Sequence, residues 1–192
     1  MSTPEPGTAT AEARQWLDAH RGGASAGDAL AYFDGLPAVP TEAMFGRWRG
    51  SGLPTGSPLD GLLETYGWYG KEFVDAETVH PLLFLDRAGH PRPVDPALLP
   101  IGLLRDRTDL AAHPLTVRAF TGVRPALFTR KPKARLRAVE HRGVVTAALV
   151  YDALPIIDVF RRVDPDTVLG VMDLRGLPAP FFFLLERDDS AD

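Results

Sequence analysis

The chain has 192 residues, 45% of them hydrophobic, and carries a net charge of −4 from 21 basic and 25 acidic side chains. That length and apolar content suffice for a sizeable core, and the slightly acidic balance leaves no electrostatic footprint for nucleic acid. The sequence has no cysteine, which excludes disulfides, thiol nucleophiles and cysteine-type zinc sites.

Residues 1–9 read as a frayed tail, with neither a basic start nor an apolar run, so no secretion signal is expected. No stretch is long and apolar enough to span a membrane, and a cytoplasmic protein without membrane partners is the expectation. Over residues 10–20, Ala13, Trp16, Leu17 and His20 recur at helical spacing until Gly22 and Gly23 stop them. Ser25 with Asp28 is an N-cap and acidic first turn for a second short helix through Leu30, Tyr32 and Phe33. These helices pack outside a barrel or close one of its mouths.

Residues 45–52, FGRWRGSG, read as a first strand with one large aromatic, Trp48, and glycines where other groups come close. Ser57, Pro58 and Asp60 predict a helix start running through Leu62, Leu63 and Tyr66 to Gly67. Residues 67–73 follow as a second aromatic strand and 79–85 as a third. Gly89 and the prolines at 91, 93, 96 and 100 then mark a loop over about 87–114. From residue 115 the pattern predicts a β-meander with segments 115–120, 125–130, 134–141, 144–151, 155–163, 167–174 and 181–187. The whole is a mainly β chain of about ten antiparallel strands, and closure into a barrel removes its edges.

The G-x-W-x-G spelling at Gly46, Trp48 and Gly50 resembles the GXWXG-type bacterial family, whose first domain is followed by a second of unknown function. The similarity runs from Phe33 to about Leu85. It continues in the second half through Ala134–Arg137, Glu140, Tyr151–Ile156 and Val168–Asp173. More distantly the opening strand is similar to that of lipocalins and nitrobindin-like haem barrels. The resemblance implies a calycin-like β-barrel with short N-terminal helices. Residues 1–35 would form tail and helices, 36–114 the GXWXG-type half and 115–192 the C-terminal half, together closing one barrel.

Candidate site residues come in three groups. Trp48 is read as a core plug carrying an arginine on its face, with Arg161 or Arg137 as the candidates. Trp68 and Tyr69 beside Lys71 suit a pocket wall with one polar anchor, or Lys71 is simply solvated. Tyr151, Asp152, Asp158, Arg161 and Asp173 interrupt apolar strands of the second half. By alternation Asp158 shares a face with Ile156 and Phe160, Arg161 takes the other, Asp152 follows Thr146, Ala148 and Val150, and Asp173 follows Leu169 and Val171.

Carboxylates on such faces meet water or a cavity. Two sharing a cavity would split into one protonated and one ionised group, as acid–base chemistry needs; the other reading is an ion-pair network. For a cavity-facing acid, Asp158→Asn and Asp173→Asn would keep or raise the melting temperature. Asp158, Asp173 and Tyr151 are thus the catalytic candidates; Trp68, Tyr69, Lys71, Asp152, Arg161 and His80 are the ligand-binding ones. His80 alone among five histidines suits a base or haem ligand, and no metal-ligand spacing is present.

The function expected is binding of a small, largely apolar metabolite, without cofactor, with isomerisation, cyclisation or dehydration as the chemistry available. A haem or fatty-acid carrier and a fully packed structural module are the alternatives. The run Phe181–Leu185 is apolar on both faces and needs outside cover from a helix or from a second subunit in a homodimer.

Overall fold

The computed structural model describes residues 6–99 and 107–189. Among these, nine strands form one antiparallel sheet: β1 (Gly46–Leu53), β2 (Trp68–Phe73), β3 (Val79–Leu85), β4 (Pro91–Pro93), β5 (Ala134–His141), β6 (Val144–Tyr151), β7 (Ile156–Asp164), β8 (Thr167–Leu174) and β9 (Phe181–Arg187). Eight close into a barrel in the order β2-β1-β9-β8-β7-β6-β5-β3, with β3 returning to β2, and β4 is added outside on β3. The first and second halves of the chain meet at two seams. Six residue pairs join β1 to β9, from Trp48↔Arg187 to Leu53↔Phe182, whereas only Val79↔Ala134 joins β3 to β5.

Two predicted strands do not form. Residues 115–120 fall in a helix at Pro114–Val123, where Pro114 presets the first turn and His113 caps it, its Nδ1 accepting from the Leu115 N–H at 3.2 Å. Its Phe120 packs edge-on against Tyr66 and Phe84, 4.9 and 5.6 Å between ring centres. Those contacts outweigh the β-branched residues that suggested a strand. Residues 125–130 begin as a 3-10 turn at Arg124–Leu127 containing Pro125, and only Phe128 pairs, in a single bridge to Val94. The helix predicted from Ser57 is shorter than expected. The Asp60 carboxylate folds back to accept from the N–H groups of Thr55, Gly56 and Ser57, leaving a four-residue helix at Leu62–Thr65.

The N-terminal helices α1 (Pro6–His20) and α2 (Ala26–Gly35) lie against the outside of the barrel. Ser25 caps α2 by accepting from the Asp28 N–H at 3.0 Å. Leu17, Ala29 and Phe33 pack on Ala148, Val159, Leu169, Val171, Phe182 and Leu184, the outward residues of β6 to β9. Phe181, Phe183 and Leu185 point the other way, into the barrel core. The two-sided apolar run of β9 is therefore covered by the chain's own helices, and a second subunit is not needed for that purpose.

Trp48 is buried, with its Nε1–H donating to the Met44 carbonyl at 2.7 Å. The guanidinium on its face belongs to Arg187, 4.3 Å from the ring centre, and not to Arg161 or Arg137. Arg161 lies under α2 against Phe33, and Arg137 pairs with Glu77. Arg187 takes the position because it stands directly opposite Trp48 in the β1–β9 ladder.

Candidate functional site

Strands β2 and β3 depart together from strict alternation. Between Trp68↔Phe84 and Gly70↔Leu83 the extra residue is on β2; between Gly70↔Leu83 and Glu72↔His80 it is on β3. Gly70, at φ 151°, lies so close to β1 that a Cβ would fall 1.9 Å from the Trp48 carbonyl oxygen, so only glycine fits. Pro81, which has no N–H for the ladder, occupies the β3 irregularity. These shifts bring Trp68 and Lys71, three residues apart, onto the same inward side, and leave the Pro81 carbonyl to accept from Lys71 Nζ at 3.1 Å.

Lys71 crosses the barrel. Its strand and β7 are diametrically opposite in the eight-strand circuit, yet Nζ reaches Asp158 Oδ2 at 2.7 Å, with both side chains at most 3% exposed. Nζ also lies 3.4 Å from the Tyr151 hydroxyl and within 5.0–5.7 Å of the ring centres of Phe183, Trp68 and Tyr151. A buried ammonium so placed is compensated by a carboxylate, two further oxygen acceptors and three aromatic faces. Burial pushes the Asp158 carboxyl up from its ordinary value, while Lys71 and the Tyr151 hydroxyl work to keep it charged. Burial, reinforced by the neighbouring carboxylate, pushes the Tyr151 phenol well up, so it keeps its proton.

This polar layer is the floor of a cavity of about 80 Å³, room for several waters or part of a small molecule. Apart from Lys71, Asp158 and Tyr151 the walls are apolar. Leu82, Ile156, Met172 and Leu174 join Trp68, Phe181 and Phe183, and Leu59, Leu62, Leu63, Leu99 and Leu154 surround the upper end. Below the floor the barrel is filled, with Phe160 edge-on to both Phe73 and Phe183 at 5.9 and 6.2 Å.

The structure thus brings together Trp68, Lys71, Tyr151 and Asp158, and places the other candidates elsewhere. Tyr69 alternates outward, where its hydroxyl donates to Asp188 and Arg49 lies over its ring. Asp152 is exposed and pairs with Arg135 at 2.9 Å. Asp173 is exposed, opposite Ile157 in the β7–β8 ladder. Both aspartates do share the faces assigned by alternation, but those faces are the outside of the barrel. They are apolar because α1 and α2 cover them, so Asp158 and Asp173 do not form a carboxyl pair. Arg161 is buried on the outer side too, 5.2 Å from the Phe33 ring centre. His80 lies opposite Glu72 and is absent from the cavity lining, and burial lowers its pKa. Among the described residues no group of three or more His, Asp or Glu is disposed to hold a metal ion.

The sequence reading missed the leucine ring at the mouth, Met172 and Phe181. The signal for Phe181 was present, since alternation through the 181–185 run separates inward Phe181 and Phe183 from outward Phe182 and Leu184.

Residues 31–89 match the family model described as GXWXG protein, and residues 132–187 match a domain of unknown function, DUF4334. No curated protein matches the chain. A protein from Thermomonospora curvata with a solved crystal structure is 32% identical over 92% of this chain and 99% of its own, with a TM-score of 0.68. With that relative aligned over nearly its full length and both characteristic segments present, the chain belongs to the GXWXG family, in the form that carries the DUF4334 domain.

Proposed function

We propose that the protein binds a small, largely apolar molecule in the barrel cavity, with one polar group of that molecule meeting the Lys71–Asp158–Tyr151 layer. The observation that carries this reading is a buried ion pair at the floor of an otherwise apolar cavity. Concave apolar sites with a few convergent polar groups are where small ligands dock. A packed module would have filled this space with side chains, as the half below the floor does. A haem carrier is not favoured, since no histidine lines the cavity and a volume of about 80 Å³ does not admit a porphyrin.

The same layer suits cofactor-independent proton transfer, as in an isomerisation, cyclisation or dehydration. A carboxyl raised by burial beside two proton-bearing neighbours is suited to take and return a proton. In this second reading Asp158 moves the proton, Tyr151 and Lys71 orient the substrate, and Asp173 has no part.

The test is native mass spectrometry of the protein after incubation with a bacterial metabolite extract. A retained small molecule is expected, and it should be lost when Met172→Trp fills the cavity. Absence of any retained species from the native protein would overturn the binding reading. Deuterium incorporation into the retained molecule in D2O, abolished by Asp158→Asn, would distinguish turnover from carriage.

A further inference from the structure

The polar layer has an asymmetry that narrows the ligand class. An ammonium has three hydrogens, and those of Lys71 face three protein acceptors: the Pro81 carbonyl, Asp158 Oδ2 and the Tyr151 oxygen. The Tyr151 hydroxyl keeps its proton beside the Asp158 carboxylate. The ammonium hydrogens of the cavity floor are therefore already engaged. On the acceptor side the account does not close, because Asp158 Oδ1 is buried and no described residue donates to it. A buried carboxylate oxygen without a donor is costly, by more than an unmade neutral hydrogen bond. It belongs to a residue that lines the cavity and is 1% exposed.

Resting on the binding reading above, we infer that the cavity selects a neutral hydrogen-bond donor: a small alcohol, its hydroxyl donating to Asp158 Oδ1 and its hydrocarbon body lying against Trp68, Leu82, Met172 and Phe183. A ketone or ether of the same skeleton offers only acceptors, so it leaves Asp158 Oδ1 unpaired and finds the ammonium hydrogens already engaged. A ligand ammonium would satisfy Oδ1 but would add an uncompensated cation beside Lys71, in a layer whose charges already balance. A ligand carboxylate would set a second anion against Asp158. The neutral hydroxyl is the group that completes the layer without changing its charge. A site built around a substrate donor discriminates strongly against analogues lacking it, because its own polar atom is then left unpaired.

Saturation-transfer NMR titrations of the intact protein with cyclohexanol, cyclohexanone and methoxycyclohexane test this directly. Cyclohexanol should bind on the order of 10- to 100-fold more tightly than the other two. In Asp158→Asn, where the amide can pair its oxygen with Lys71 and turn its N–H2 to the cavity, the preference should shrink or reverse toward cyclohexanone. Equal binding of the alcohol and the ketone by the native protein would overturn the inference while leaving the binding reading intact. If none of the three binds, both fall for this ligand size. Should Asp158→Asn fail to fold, the comparison of the three ligands on the native protein decides alone.

Discussion

The indole of Trp68 occupies the space in which a side chain on Gly50 would stand: a Cβ at residue 50 would lie 2.1 Å from the ring. The second glycine of the G-x-W-x-G motif thus exists for a tryptophan on the neighbouring strand, one that forms part of the cavity wall and whose Nε1–H donates to the Gly70 carbonyl at 2.9 Å.

Gly50→Ala should therefore lower stability by about 1–3 kcal/mol, the usual cost of forcing extra atoms into a packed site. It should also alter the near-ultraviolet circular dichroism as Trp68 is displaced. An unchanged melting temperature and spectrum would show that Trp68 has room to move.

For the Lys71–Asp158 pair the expectation from sequence is reversed. A lone cavity carboxylate gains stability on conversion to the amide, but Asp158→Asn strips the charge partner from a buried ammonium. Either Asp158→Asn or Lys71→Met alone should cost about 3–5 kcal/mol. The double change Lys71→Met with Asp158→Asn should cost much less than the two combined. Denaturant melts of the four proteins give the coupling, and additive losses would mean that the two residues are not a unit.

Asp152 and Asp173 make the contrast. Both are exposed on the outer surface, so Asp152→Asn and Asp173→Asn should each shift stability by less than about 0.5 kcal/mol. Neither should change the affinity for cyclohexanol. A marked loss of binding in either would bring the outer face of β7 and β8 into the site.

Burial holds the imidazole of His80 below its ordinary value of 6.5, against the opposing influence of Glu72, and its buried Nδ1 finds no described partner. In the unfolded chain it protonates near the ordinary value, so the folded state binds fewer protons in mildly acid solution. The stability it contributes is whole above pH 6.5 and is lost as pH falls through the lowered folded value. His141, lowered by burial in the same way, adds to the trend. Melting temperatures should decline from pH 7.5 to 5.5, and less steeply for His80→Gln. Parallel profiles would assign the acid sensitivity to other groups.

The strands β5 to β9 were legible because period-2 alternation survives in them, and the faces assigned on β6 to β8 are the observed ones. What alternation does not reveal is which face looks inward when both are apolar. The outer residues of β6 to β9 are aliphatic because α1 and α2 rest on them, which made Asp152 and Asp173 look like cavity acids. In β2 and β3 the pattern itself is broken. Gly70 and Pro81 were visible as breakers, but only the paired register shifts turn Trp68 and Lys71 to the same side and Tyr69 away. The helix at Pro114–Val123 was misread for the opposite reason: local strand propensity was real, and a cap and an aromatic contact overruled it.

The unequal seams give the ion pair a second consequence. At the β3–β5 seam the hoop is held by one residue pair, by the backbone bonds from Lys133 to Val79 at 3.1 Å and from Leu136 to Ala76 at 2.9 Å, and by Arg137 on Glu77 and the Ala76 carbonyl. Lys71 belongs to the half of the chain on one side of that seam, and Asp158 and Tyr151 to the half on the other. The charged layer is therefore a clasp across the weakest joint of the barrel. Any parting of that joint about the broad β1–β9 seam would carry Lys71 away from Asp158, so the buried ion pair opposes it.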